Sequence, residues 1–110
     1  MQAPGVPVQP AEAEPSPEAI LTSPPNLWSG HKAVSYSPDE CASRGVKILE
    51  ALSFIGVVRS GNYVYGNLLA NRAAIKCVSH GNGTFVYAAV AGPEVRQVER
   101  LRNEIVWRLE

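Results

Sequence analysis

Two segments of this chain repeat apolar residues at helical spacing. Cys41, Gly45, Ile48, Leu49 and Leu52 recur at i, i+4, i+7, i+8 and i+11, and Val95, Val98, Leu101, Ile105 and Leu109 form a second stripe near the end. Each spacing predicts an amphipathic helix with one buried face. Runs rich in β-branched and aromatic residues predict strands at Lys32–Tyr36, Phe54–Arg59, Tyr63–Leu69, Ala73–Ser79 and Thr84–Ala91. Ser60-Gly61-Asn62 and His80-Gly81-Asn82-Gly83 are turn signals, because glycine supplies the positive φ a tight hairpin needs.

The helix ends are marked as well. Ser37-Pro38-Asp39-Glu40 offers an N-cap serine and a proline at the first helical position. It also offers an acid at the positive end of the helix dipole and a glutamate placed to complete a capping box. Gly92-Pro93-Glu94 opens the second helix, with Pro93 expected at its first position. On that helix Glu99 and Arg102, Arg100 and Glu104, and Glu104 and Arg108 stand at the i+3 and i+4 spacings of surface ion pairs. Gly45 in mid-helix costs up to ~1 kcal/mol against alanine, and close approach to a strand is the expected reason for it.

The order is β-α-β-β-β(-β)-α. It predicts an α+β two-layer sandwich with two helices on one face of a mostly antiparallel sheet. The layout is akin to a ferredoxin-like arrangement lacking its final strand, a likeness of layout alone. In Phe85-Val86-Tyr87-Ala88-Ala89-Val90-Ala91 both alternating sets are apolar, whereas a strand with one wet face should alternate. This strand is therefore expected in the sheet interior with its second face covered too, by a second subunit, by Leu27-Trp28 or by a ligand. An exposed face of small residues is the alternative.

Composition divides the chain. Residues 1–30 hold seven of the nine prolines, three acids (Glu12, Glu14 and Glu18) and no Lys or Arg. Proline blocks both helix and ladder, so this stretch reads as a disordered tail or linker ahead of a single small domain at residues 31–110. Ile20, Leu21, Leu27 and Trp28 are its apolar exceptions. The domain carries ten Lys/Arg against seven Asp/Glu, a mild excess compared with the basic stripe of most nucleic-acid binders. The acidic tail can fold back on this basic body or serve as a plain spacer.

Cys41 lies on the first helical stripe and Cys77 on the strand face that holds Ile75, so the two sulfurs are expected to meet across the layers. A disulfide closing a loop of ~40 residues removes about 4 kcal/mol of unfolded-chain entropy, a large share for so small a domain. Two reduced, buried cysteines are the alternative. No run of apolar residues is long enough to span a membrane, and Met1-Gln2-Ala3-Pro4 lacks the charged and apolar regions of a signal peptide. The tail and the cysteine pair point to export to a periplasmic or extracellular space as a chain whose signal has been removed. The alternative is a cytoplasmic protein.

Nothing points to catalysis. There is no phosphate-binding glycine motif and no nucleophile–base spacing, and Asp39 and Glu40 serve the helix cap. His31, His80, Cys41 and Cys77 show no metal-ligand spacing, so neither metal nor cofactor is expected. What remains is a surface. Tyr63 and Tyr65 point the same way from one strand and Phe85 and Tyr87 from another, with Arg59, Arg72 and Lys76 on nearby strands. With Trp28 these residues suggest protein–protein or dimer contacts, where tyrosine and tryptophan are enriched. The alternative is a small nucleic-acid-binding domain that stacks bases on the same aromatics.

Overall fold

Pro24 and Pro25 begin the part of the chain that the structure, a computed structural model, describes: residues 24–110. Most of the expected tail, including Glu12, Glu14, Glu18, Ile20 and Leu21, lies outside the described residues. The elements are β1 (Asn26–Val34), α1 (Pro38–Ala51), β2 (Ile55–Ser60), β3 (Tyr63–Leu68), β4 (Asn71–His80), β5 (Gly83–Gly92) and α2 (Val95–Arg108). They form an α+β sandwich with a five-stranded antiparallel sheet in the order β1-β5-β4-β3-β2.

Strand β1 departs from the expectation at both ends. It starts at Asn26, inside the stretch read as tail, and stops at Val34 rather than Tyr36. Gly30, Ser29 and Asn26 are weak strand formers, so local propensity hid the strand. Its ladder to β5, from Asn26 opposite Gly92 to Val34 opposite Thr84, supplies the order instead. The ferredoxin-like likeness does not hold. β1 and β2 run parallel at opposite edges with three strands between them, and α1 crosses the sheet to join them.

Two glycine-led turns set the hairpin registers. Ser60 pairs with Tyr63 across Gly61-Asn62, and His80 pairs with Gly83 across Gly81-Asn82. Gly61 and Gly81 have φ of 60° and 57°, the feature that a two-residue II′ hairpin needs at its first central position. In β2 an extra residue sits between the pairs Ile55–Asn67 and Val58–Tyr65. This bulge turns Val57 inward against the core.

The helices cover one face of the sheet. α1 packs on β2, β3 and β4, and α2 packs on β1 and β5. Cys41, Ile48 and Leu49 from α1, and Val98, Leu101 and Ile105 from α2, close over Val64, Ala73, Ile75, Val86, Ala88 and Val90. Ser37 Oγ accepts the Glu40 N–H as the cap requires, but the Glu40 carboxylate is held by Arg44 at 2.7 Å, so only half of the expected capping box forms. In α2 the cap is Glu94, whose Oε1 accepts the Gln97 N–H, and Pro93 precedes the helix instead of opening it. Val95, expected on the buried stripe, is 43% exposed. Of the three expected pairs on α2, Glu104–Arg108 forms at 3.0 Å, whereas Arg102 turns to the ring of Trp28.

Candidate functional site: the uncovered sheet face

The disulfide is present. Cys41 and Cys77 are bonded, their Cα atoms 6.1 Å apart and 36 residues apart in sequence. It ties the first turn of α1 to the middle of β4 at a place buried from solvent. Its role is structural: it links the two layers and contributes no surface chemistry.

The opposite face of the sheet is the candidate site, and antiparallel register assembles it. Because side chains alternate at period two, one set of each strand lines this face. A row runs straight across it from His31 through Tyr87, Lys76 and Tyr63 to Ser60. The next row is Ser29, Ala89, Ala74, Tyr65 and Val58, and the third is Leu27, Ala91, Arg72, Asn67 and Ile55. Lys76 thus stands between two tyrosines. Below it Ala74, Ala89 and Ala91 form a low floor that reaches down to Arg72.

The rings are ordered by one another. Tyr63 and Tyr65 lie 5.3 Å apart between centroids, and the Arg72 guanidinium sits 5.4 Å from the Tyr65 centroid. Arg72 Nε donates to Asn67 Oδ1 at 2.9 Å, which holds the guanidinium over the ring. At the far corner His31 stacks on Phe85 at 5.4 Å and His80 meets the edge of the same ring at 6.2 Å. Both histidines are exposed and belong to this aromatic corner.

The face is apolar, accessible and one-signed. Val78 is 47% exposed, Tyr87 46% and Tyr63 39%, which is more apolar surface than scattered singletons would give. All seven Asp and Glu of the described residues belong to α1, α2, the α2 cap or the C-terminal residue, and none lies on this face. The carboxylates that do pair engage Lys32, Arg44, Arg59 and Arg108. Among the described residues Lys76 and Arg72 make no ion pair.

Of the residues singled out from sequence, Tyr63, Tyr65, Tyr87, Lys76 and Arg72 share this face. Trp28 does not. It alternates onto the helix-covered side of β1, half-buried, with Arg102 5.3 Å over its ring. Arg59 also faces that side and pairs with Asp39 at 2.6 Å. Leu27 replaces Trp28 as the open-face residue of that dipeptide, 67% exposed. His31 was the residue missed. It lay next to a stretch read as tail, and only the β1–β5 register brings it beside Tyr87.

The fold and this surface define a small two-layer α+β domain with one bare, cationic, aromatic sheet face. Comparison with protein-family models finds no match, and comparison with curated proteins finds no relative. No helix of the described residues is long and apolar enough to cross a membrane.

Proposed function

We propose that this chain is a non-enzymatic module of a periplasmic or extracellular compartment that acts by protein–protein contact through the bare face of its sheet. One observation carries the reading: Tyr63, Tyr65, Tyr87, Lys76 and Arg72 converge on a surface that, among the described residues, holds no carboxylate and no covering helix. Aromatic side chains supply large contact area at low entropic cost, and such residues dominate interface energetics. The disulfide supports an oxidising compartment, since such bonds are rare where glutathione keeps thiols reduced.

The row His31–Tyr87–Lys76–Tyr63 gives a second reading some footing, because aromatics interleaved with cations on an open sheet can stack bases. Two measurements on the full chain separate them. Retention on immobilised single-stranded DNA is expected to be weak. A retention that falls steeply with salt would replace the protein reading by the nucleic-acid one. Light scattering and chemical cross-linking in periplasmic or secreted extract are expected to give a complex with wild-type chain that is lost with Tyr87→Ala. A complex indifferent to Tyr87→Ala would move the contact elsewhere.

A further inference from the structure

We infer that the bare sheet face is a docking groove for an extended, acidic, proline-flanked segment, and that its occupant in the free protein is the chain's own Glu14-Pro15-Ser16-Pro17-Glu18. The inference rests on the reading of this face as a contact surface and names what it contacts.

Charge selects the occupant first. A second copy laid face to face would offer Lys76 and Arg72 no carboxylate at any offset, because the described residues place none on this face. Opposed like charges are unfavourable, so the face calls for an anionic partner. Residues 1–23 hold three glutamates and no Lys or Arg, which makes them the only strictly acidic segment of the chain.

Spacing selects the segment. Arg72 and Lys76 lie four residues apart on β4, about 13 Å at strand rise. Glu14 and Glu18 are also four apart, with Pro15 and Pro17 between them. Prolines at those positions favour polyproline II geometry, in which four residues span about 12 Å. Three residues per turn leave the two glutamates a third of a turn apart, so the spans match and the long side chains of Glu, Arg and Lys bend to close both pairs. The floor between the cations is Ala74 flanked by Ala89 and Tyr65, a low apolar track with tyrosines beside it. Aromatic-lined grooves take proline-rich strands this way, since the proline segment loses little entropy on binding.

Geometry brings the segment there. Pro24 and Pro25, the first described residues, line a shallow hollow together with Arg72 and Ala91, so the described chain begins beside the Arg72 end of the face. Five residues separate Glu18 from Pro24. That length reaches up to ~20 Å, enough to place Glu14 to Glu18 along β4.

The test is zero-length carbodiimide coupling of the full, oxidised chain at low concentration, followed by peptide mass spectrometry. The chain has three lysines, Lys32, Lys47 and Lys76, so the readout is simple. The expected product joins Lys76 to Glu14 or Glu18 within one molecule. It should decline several-fold in about 0.5 M salt, where attraction between exposed charges reaches only a few ångströms. Amide NMR shifts of Ala74, Lys76 and Ala89 should move in E14Q/E18Q, a variant that alters no residue of the described domain. Lys76 coupled to other carboxylates, no Lys76 product, or unmoved shifts would overturn the inference. Mixed-isotope products from labelled and unlabelled chains would put a second copy's segment on the face and overturn the intramolecular arrangement. If E14Q/E18Q leaves capture of an external partner unchanged while Tyr87→Ala abolishes it, self-docking fails and the contact reading stands. If coupling to Lys76 is found but Tyr87→Ala leaves external capture intact, the contact reading fails instead.

Discussion

Tyr36 shows how much one side chain can join in a small domain. Its hydroxyl donates to the Leu109 carbonyl at the end of α2, and its own carbonyl accepts from Thr84 Oγ1 on β5 at 2.6 Å. The Arg44 guanidinium of α1 lies 4.0 Å over its ring. Burial favours the neutral phenol and raises its pKa above the usual 10.0; Arg44 opposes this and Glu40 reinforces it. The folded state therefore holds the proton more tightly than the unfolded chain. The resulting stability is complete below about pH 10 and is lost as pH climbs through the raised value. Tyr36→Phe is expected to lose about 1 kcal/mol at neutral pH and to show a shallower alkaline fall than wild type, both read from urea unfolding at a series of pH values.

Within the elements, helix α1 is the most informative. Its start is readable from Ser37 and Pro38, because capping is a contest among neighbours only. The reason given for Gly45 holds in part. The glycine is buried over Ile75 and Val64, yet a methyl group built there would meet the Ile75 side chain at 3.4 Å, an ordinary contact. Gly45→Ala should therefore recover up to ~1 kcal/mol of helix propensity and raise the melting temperature by several degrees. A fall in calorimetry would mean that strand and helix are pinned more closely than that distance allows. Gly83 is the contrast: a Cβ there would overlap the Val34 carbonyl oxygen, where backbone cannot yield.

For the molecule as a whole, the disulfide decides how firmly helices and sheet hold together. In oxidising buffer Cys77→Ala should lower stability by about 4 kcal/mol, visible as a large drop in melting temperature. With reductant present, wild type and variant should differ by much less. An equal loss in both conditions would assign the effect to packing of the sulfur. The same staple leaves the opposite face of the sheet free, so cleavage of the bond should weaken the domain without altering which residues that face presents.

Local rules carried far into this protein. Helical stripes, the Ser37 cap, the two Gly-Asn turns and the side of β4 on which Cys77 lies follow from periods of 3.6 and 2 and from which residues tolerate positive φ; each needs only a few neighbours to operate. The α+β layering and the disulfide partner came from joining those faces. Pairing between distant strands had no such local signal. β1 begins at Asn26 because β5 lies alongside it, Trp28 turns to the helices because of that register, and His31 joins Tyr87 for the same cause. The acid-free row on the bare face exists only once five strands from across the chain are laid edge to edge, since ladder hydrogen bonds join residues that are remote in sequence.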